Sequence, residues 1–522
     1  MLRTLWMLML TATISVFPAG GRADQPNILF CISDDQSWMH AGAYGCGWVN
    51  TPAFDRVAQE GLLFLNAYTP NAKCAPSRAC LLTGRNTWQL EAACNHWCYF
   101  PPQFRSWFEA MGQQGYHVGY TGKGWAPGIA KDATGRPRQL TGKRYSNATL
   151  KPPTRAISRN DYAANFDAFL NDSADAPWCF WYGSTEPHRR YEYGTGIRVG
   201  GKSLDDIDEV PPFWPDNETI RNDMLDYALE IEHFDTHLGR MLASLERRGE
   251  LDNTLIIVTA DNGMPFPRVK GQEYEMSNHL PLAIMWKDRI VQPGRVIEDL
   301  VSFVDIAPTA IEAAGFEWSE LGLAPTVGRS LGPVFDNTAT APHRDFVVFG
   351  KERHDVGRPA DQGYPIRGIV DGEYLYLKNY EPDRWPAGNP ETGYLNCDGS
   401  PTKTELLHAH RYGTETAGRW QMAFGKRPPE ELYRIADDRY CLTNLASNPT
   451  FAIVRTKLES QLLERLQAED DPRQRNEADY FEKLPYADAK GFQFYERFQK
   501  GEKLKAGWVN PSDFEPVTES GQ

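Results

Sequence analysis

Four short runs of apolar residues stand out along the first half of the chain. They lie at residues 27–33 (NILFCIS), 117–121 (HVGYT), 178–182 (WCFWY) and 254–259 (TLIIVT). Apolar runs of this length without alternation are typical of parallel strands that are covered on both faces. Helical patterns separate them, the longest at residues 221–249. The pattern therefore predicts an α/β layer fold with a largely parallel sheet.

The pattern changes near residue 340. Residues 345–380 contain segments such as DFVVFG and GEYLYLKN, in which apolar and polar positions alternate. Alternation is typical of antiparallel strands with one solvated face. An amphipathic helical pattern follows at residues 453–468. We therefore predict a larger domain over residues 24–340 and a smaller α+β domain with an antiparallel sheet over residues 341–522.

The first 23 residues have the pattern of a cleaved secretory signal. A basic start at Arg3 precedes an apolar stretch, and small residues stand at Gly21 and Ala23. The apolar run is short and broken by Thr and Pro, which disfavours a membrane anchor, and no later stretch is long enough to span a bilayer. Residues 1–23 are therefore predicted to be a signal peptide, and the mature chain to be exported to the periplasm or the medium.

Acidic residues outnumber basic ones in this chain. There are 69 Asp and Glu against 55 Lys and Arg, which gives a formal net charge of −14. Removal of residues 1–23 also removes Arg3 and Arg22, and the charge becomes about −16. Such a chain is a poor general binder of nucleic acid or anionic membrane. An anionic substrate would need a local basic pocket.

The nine cysteines do not form a zinc-binding pattern. Cys94 and Cys98 lack a second ligand pair at suitable spacing, so they indicate a disulfide or core packing. His233 and His237 lie at i, i+4 on the long predicted helix, and no Glu-x-x motif links them. They indicate packing as well.

Polar or ionisable residues follow each of the four predicted strands. In open α/β sheets the ligand crevice lies outside the carboxyl ends of the strands. Turn formation alone explains one such ending easily, but it does not explain four endings or two adjacent aspartates. The residues concerned are Asp34 and Asp35, Lys123, His188, and Asp261 with Asn262.

These side chains offer hard oxygen ligands and fixed positive charge. Carboxylate and amide oxygens without a His or Cys cage suit Ca²⁺ or Mg²⁺ rather than zinc. Arg78, Lys123 and Lys270 add positive donors, and His188 is a candidate proton donor to a leaving group. Together they predict a site for a phosphate or sulfate ester.

The segment CAPSRACLLTGR at residues 74–85 resembles the signature of type I sulfatases. The resemblance extends from residue 26 to the ELYRIADDRYCLTNLA segment. It implies an alkaline-phosphatase-like sheet sandwiched by helices and hydrolysis of a sulfate ester. The other stretches that agree with the family are SDD at 33–35, TGK at 121–123, PH at 187–188, ADNG at 260–263, Lys270, and YE at 274–275.

In that family a separate maturation enzyme oxidises the motif cysteine to formylglycine. The resemblance implies that Cys74 becomes the nucleophile as a hydrated aldehyde and that Arg78 steadies it. Lys123 and Lys270 would hold the sulfate, and His188 would assist the leaving group. The implied ligands of Ca²⁺, with Mg²⁺ as the alternative, are Asp34, Asp35, Cys74, Asp261 and Asn262.

The family pattern is broken at Trp125. Many relatives have Lys-x-His at this point, whereas this chain has Lys123-Gly124-Trp125. The histidine usually credited with starting sulfate elimination is therefore missing. His40, His96 and His354 are candidates to replace it, and the sequence does not choose among them.

Within the family the chain looks most like heparan N-sulfatases. This resemblance rests on DNGMPFP, on AYTPNAKCAPSRACLLTG and on His-Asp-Val ahead of YPIR. It implies removal of the N-linked sulfate from a non-reducing-end glucosamine. The acidic net charge favours exo action on short or terminal sugars over gripping a long polyanion. The candidate sugar contacts are His96, His354, Asp355 and Arg367.

Three alternatives stay open at this stage. A carbohydrate O-sulfatase, for example one acting on 6-O-sulfated N-acetylglucosamine, would share every catalytic residue and differ only in its pocket. A phosphodiesterase or phosphonate hydrolase of the same superfamily also uses a metal and an activated side chain. The third alternative is a secreted sugar-binding relative with a dead site.

Overall fold

The apolar runs form the strands of a central sheet. The computed structural model describes residues 25–338, 344–414, 417–475 and 477–515. The predicted signal peptide and the predicted boundary near residue 340 lie outside the described residues, and both stay predictions.

Eight of the described strands form one sheet in the order β10-β2-β9-β8-β1-β7-β4-β6. All neighbouring strands are parallel except β9, which is antiparallel to both β2 and β8. A separate two-stranded sheet pairs β3 with β5. The strands of these two sheets are β1 (Asn27–Ser33), β2 (Leu62–Tyr68), β3 (Cys98–Phe100), β4 (His117–Gly122), β5 (Gly128–Ala130), β6 (Lys143–Arg144), β7 (Trp178–Gly183), β8 (Thr254–Ala260), β9 (Leu282–Met285) and β10 (Arg295–Ser302).

All four predicted strands are present, and each agrees with the prediction to within one residue. The predicted largely parallel sheet is therefore confirmed. The long helix extends from Glu218 to Arg248. The Asn217 side chain accepts a hydrogen bond from the Ile220 N–H at its start, and Gly249 ends it in the left-handed conformation.

Helices cover both faces of the large sheet. Alternate residues of β1 pack into two separate clusters, with Ile28, Phe30 and Ile32 on one face and Leu29 and Cys31 on the other. The first cluster includes residues of α2, α3 and α8, and the second includes residues of α1, α4 and α6. The helices are α1 (Pro52–Glu60), α2 (Cys74–Thr83), α3 (Trp107–Gln113), α4 (Tyr162–Ser173), α5 (Thr195–Arg198), α6 (Glu218–Arg248), α7 (Glu275–Asn278), α8 (Ile306–Ala313), α9 (Gly332–Phe335), α10 (Pro401–Arg411), α11 (Arg419–Phe424), α12 (Ala452–Ala468) and α13 (Phe494–Gln499).

A four-stranded antiparallel sheet follows in the C-terminal part of the chain, as predicted. Helix α12 packs against this sheet, and its buried residues Leu458, Leu462 and Leu466 cluster with residues of the sheet. In the described ranges, no helix is both long and apolar enough to cross a bilayer. The sheet contains β11 (Val347–Lys351), β12 (Ile366–Val370), β13 (Tyr374–Asn379) and β14 (Glu430–Arg434) in sequence order.

All nine cysteines lie in described positions, and all are free thiols. Cys94 and Cys98 are buried, which confirms packing and not the alternative of a disulfide. His233 and His237 also pack: their ring centroids are 4.7 Å apart, and the His237 ring lies edge-on to Tyr162.

A buried carboxylate on α6 caps the start of α1. Asp235 accepts hydrogen bonds from the Ala53 N–H at 2.9 Å and the Phe54 N–H at 2.7 Å. Thr51, the residue before the helix, makes no side-chain cap of its own. Asp235 therefore satisfies two backbone donors that the first turn of a helix leaves unpaired.

We expect Asp235→Ala to lower the free energy of unfolding by about 2–3 kcal/mol, because it leaves two buried N–H groups without acceptors. Urea denaturation followed by circular dichroism measures the change. The matched control is Thr236→Ala, an exposed neighbour on the same helix, which should shift the value by no more than about 0.5 kcal/mol. Equal effects of the two substitutions would contradict the capping role.

Candidate active site

The carboxyl ends of four parallel strands converge on the start of α2. Ser33 of β1 pairs with Ala260 of β8, so the residues that follow these strands are neighbours. A cavity of about 250 Å³ lies above them. Its lining includes Lys73, Cys74, His96, Trp97, Lys123, His188, Lys270, Asp355, Asp398 and Trp508.

Three buried carboxylates form a cluster at the floor of this cavity. Oxygens of Asp34, Asp35 and Asp261 all lie within 4.8 Å of one another. Asp35 has a φ of 77°, a left-handed conformation that aspartate tolerates better than most residues, and its N–H donates to Asp261. Asn262 Nδ2 donates to Asp35 Oδ1 at 2.7 Å, while Asn262 Oδ1 is buried without a partner. The cluster and its unpartnered amide oxygen fit a hard divalent cation.

Three cationic side chains balance these carboxylates. Lys123 Nζ lies 2.7 Å from both oxygens of Asp34. Lys270 Nζ lies 2.7 Å from Asp35 and 2.8 Å from Asp398.

Arg78 supplies the third cation. Its Nε donates to Asp261 at 2.8 Å, and its Nη1 donates to the carbonyls of Lys123 and Gly124. Arg78 is fully buried, and its Nη2 has no hydrogen-bond partner. Arg78 thus fixes the loop that carries Lys123, and its Nη2 lies 3.7 Å from Asp34 Oδ1, beyond hydrogen-bond distance.

The pairing keeps both partners charged despite burial. Burial raises the pKa of Asp34, but the charges of Lys123 and His188 outweigh it and lower the pKa to about 2. Burial lowers the pKa of Lys123, and Asp34 outweighs that effect, so the net shift is upward. At neutral pH Asp34 is therefore a carboxylate and Lys123 an ammonium group.

Cys74 begins α2 at the centre of these charges. Its Sγ lies 3.5 Å from Asp34 Oδ1 and 3.9 Å from Asp35 Oδ1, as a thiol that donates to carboxylates. Burial raises the pKa of the Cys74 thiol well above its usual value. The unmodified side chain is therefore protonated at neutral pH and is a poor nucleophile.

His188 approaches the same cluster from the end of β7. Its Nδ1 lies 2.6 Å from the Arg189 carbonyl, which must accept from that nitrogen. The other nitrogen, Nε2, lies 3.9 Å from Asp35 Oδ2. One third of the His188 side chain is exposed, so its Nε2 is within reach of a bound substrate.

The comparison with protein families decides what this arrangement is. The family profile described as Sulfatase matches residues 26–316, more than half of the chain. The chain belongs to the sulfatase family. It is a hydrolase of sulfate esters or sulfamates, and the family resemblance read from CAPSRACLLTGR is confirmed.

Two individual relatives and one solved structure show how far this similarity extends. An ulvan-active sulfatase of Formosa agariphila is 27% identical over 455 residues, which cover 86% of this chain and 81% of the relative. N-sulphoglucosamine sulphohydrolase of Homo sapiens is 27% identical over 471 residues, which cover 84% of this chain and 90% of the relative. A solved structure in complex with its substrate D-glucosamine-2-N,6-O-disulfate matches with a TM-score of 0.59 at 19% identity, over 86% of this chain and 98% of that one. That likeness shows the fold alone.

Two of the four predicted sugar contacts reach the cavity of this sulfatase. His96 Nδ1 lies 3.0 Å from Asp355 Oδ1, and both residues line the cavity. His354 lies behind the wall, where it is fully buried and its Nε2 is 2.8 Å from Asn71 Oδ1.

Arg367, the fourth predicted sugar contact, does not line the cavity. Its side chain is 0% exposed, and its guanidinium contacts Glu352 at 2.7 Å and Asp471 at 2.8 Å. A guanidinium that is held by two buried carboxylates inside the C-terminal sheet has no donor directed to a sugar. Arg367 joins β12 to the segment after α12.

Trp125 occupies the neighbourhood of the missing histidine. Its Nε1 donates to the Ala75 carbonyl at 3.0 Å and its ring lies edge-on to Phe100. Of the three candidate replacements, His96 lines the cavity, whereas His40 is buried against Tyr227.

Sequence reasoning missed four polar or aromatic residues of the cavity wall. Lys73 directly precedes the motif and pairs with Asp355 at 2.7 Å, so its position gave a clue. Asp398, Trp97 and Trp508 lie in segments without regular patterns, and nothing in the sequence assigned them to the site.

We expect Arg367→Ala to lower the free energy of unfolding by about 3–5 kcal/mol, because it leaves buried carboxylates unpaired. The control is Arg434→Ala, which breaks a half-exposed pair with Glu373 and should cost less than about 1 kcal/mol. Denaturation measures both values. A rise in KM for a sulfated sugar without loss of stability would instead restore the original prediction.

Proposed function

We propose that this sulfatase removes the N-linked sulfate from a terminal glucosamine of heparan sulfate or heparin fragments. The observation that carries the proposal is the shared cavity: Cys74 lies at its base beside the carboxylate cluster, and Lys123, Lys270 and His188 line it. The similarity to N-sulphoglucosamine sulphohydrolase over most of both chains supports the choice of substrate. The substrate in the solved relative carries an N-sulfate and a 6-O-sulfate, so 6-O-desulfation is the second candidate.

The proposal includes a bound metal ion and a modified form of Cys74. Asp34, Asp35, Asp261 and Asn262 would hold Ca²⁺, with residue 74 completing the set, and the ion would polarise a sulfate oxygen. A separate maturation enzyme would convert Cys74 to formylglycine, whose hydrate supplies an oxygen nucleophile. The high pKa of the Cys74 thiol supports this, because an unmodified thiol would contribute little nucleophile at neutral pH.

The cationic side chains bind and orient the sulfate. Lys123 and Lys270 present ammonium groups in a buried setting, where attraction to an anion is stronger than in water. Arg78 Nη2 is a third donor that makes no hydrogen bond of its own. Because these donors are fixed before substrate arrives, they stabilise developing charge without reorganisation.

His188 would supply the proton to the departing group. Its Nδ1 is engaged by the Arg189 carbonyl, so a proton on Nε2 is the one available to substrate. A departing amine or alkoxide needs that proton, which is general acid catalysis.

The size and charge of the site favour terminal sugars. A cavity of about 250 Å³ is at the small end for ligand sites. A net charge of −14 opposes the approach of a long polyanion outside the pocket. We therefore infer exo action on short or terminal sugars. We also infer that residues 1–23 direct export of the chain.

We expect Ca²⁺ to raise the melting temperature of protein that has been stripped with a chelator, because an ion that binds the native state alone stabilises it. Differential scanning fluorimetry measures the shift, with Mg²⁺ in parallel. Asp35→Ala should abolish it, whereas Asp355→Asn, a wall carboxylate outside the cluster, should retain it. An unchanged shift in Asp35→Ala would place the ion elsewhere.

We expect sulfate release from N-sulfated glucosamine to exceed release from matched 2-O-, 3-O- and 6-O-sulfated sugars by about 100-fold or more in kcat/KM. Ion chromatography of released sulfate on this defined panel measures it. Protein made with a formylglycine-generating enzyme should react with a hydrazide probe at residue 74, and Cys74→Ala should not. Preferred release of 6-O-sulfate would favour the second candidate, and a thiol at residue 74 in active protein would contradict the conversion.

A further inference from the structure

Two indole rings line the cavity beside the catalytic groups. Trp97 precedes β3, and Trp508 lies in the C-terminal segment after α13. Both are half-buried and pack against one apolar cluster, whose buried residues include Val356 and Leu395. Neither belongs to the sulfatase motifs, and neither side chain hydrogen-bonds to the carboxylate cluster. Their function therefore needs a separate explanation.

Trp508 is held so that its ring offers only apolar surface. Its Nε1 donates to the Leu395 carbonyl at 2.7 Å, and its own carbonyl accepts from the Gly399 N–H at 2.7 Å. The one polar atom of the indole is thus already engaged. What remains for a ligand in the cavity is apolar ring surface.

Trp97 is held in a backbone conformation that bulky residues avoid. Its φ is 50°, in the left-handed region, and its carbonyl accepts from the Ala487 N–H at 2.7 Å. Such conformations cost free energy and persist where the surrounding structure enforces them, often beside ligands. Here the strain places an indole at the cavity wall next to His96.

His96 adds a polar group to the same cavity wall. Asp355 contacts His96 Nδ1 at 3.0 Å with one oxygen and Lys73 at 2.7 Å with the other. The proton of the ring therefore lies on Nδ1, and Nε2 carries the lone pair. His96 Nε2 has no hydrogen-bond partner, although only 7% of the residue is exposed. Burial outweighs Asp355 and lowers the pKa of His96 to about 4, so the ring is neutral at neutral pH.

We propose that Trp97 and Trp508 hold the pyranose ring of the substrate and that His96 accepts a hydrogen bond from one of its hydroxyl or N–H groups. The face of an indole is electron-rich and the C–H groups of a sugar face are weakly positive, so the two attract and also bury apolar area. The proposal rests on a sugar being the substrate. It assigns sulfate to the cationic groups and sugar to this separate wall.

The test separates sugar binding from sulfate binding. The variants are Trp508→Ala, Trp97→Ala and their Phe counterparts, assayed with N-sulfoglucosamine as substrate and inorganic sulfate as competitive inhibitor. Each Ala variant should raise KM about tenfold or more, as truncation of a buried aromatic anchor does. The Phe variants should recover most of the loss, and the inhibition constant of sulfate should stay within about twofold, since sulfate contacts the cations alone.

His96 is tested by the chemistry of its replacement. His96→Gln keeps an acceptor and should raise KM less than His96→Leu, which keeps bulk without one. Equal effects of Gln and Leu would overturn the hydrogen bond. Melting temperatures and circular dichroism of every variant show whether the fold is retained. The sulfate inhibition constant shows whether the sulfate-binding pocket is also intact.

Binding to Cys74→Ala protein keeps the test independent of turnover. Titration with N-sulfoglucosamine and with unsulfated glucosamine should quench tryptophan fluorescence, and the quench should fall in the Trp508→Ala background. If wild-type protein with formylglycine at residue 74 binds the sugar but does not turn it over, the proposed function is overturned. The sugar clamp, meaning the pair Trp97 and Trp508 with His96, would still stand. Unchanged KM in both Ala variants, an equal loss of sulfate and sugar affinity, or no sugar binding at all would overturn the clamp.

Discussion

Charge balance in a buried pocket is the constraint on which the site depends. Asp34 and Asp35 are removed from water, and each contacts a lysine ammonium at 2.7 Å. An unpaired charge in such an interior is destabilising by several kcal/mol. Neither the carboxylates nor the cations could therefore be kept here without the other. A cation and an anionic sulfate can enter such a site together without leaving either sign unmatched.

Strand register places these charges. Gly122 of β4 pairs with Gly183 of β7, which brings the Lys123 loop over the end of its neighbour. A Cβ on Gly183 would lie 1.8 Å from the Lys123 carbonyl oxygen, so only glycine permits this approach. The Trp181 indole N–H and the Arg78 guanidinium also donate to that carbonyl. Lys123 therefore has little freedom to leave the carboxylate cluster.

The C-terminal part of the chain completes the pocket. Asp355 and Asp398 come from beyond residue 340, and each pairs with a lysine of the N-terminal part. Trp508 adds an apolar wall. Under the proposed function, the N-terminal part supplies the groups that act on sulfate, and both parts contribute to the wall that faces the rest of the substrate.

The sequence by itself determined the parallel strands, the residues at their carboxyl ends and the family, because these depend on local patterns and a short motif. It could not determine which distant side chains close the cavity. Arg367 and Asp355 looked equally suitable as sugar contacts, yet only tertiary packing buried Arg367 between two carboxylates and turned Asp355 toward Lys73. No sequence pattern indicated that Trp508 lines the cavity, because its position depends on hydrogen bonds to residues about a hundred positions away. Chemistry that is encoded in contiguous residues was readable, whereas the wall that is assembled from separate segments was decided by the fold.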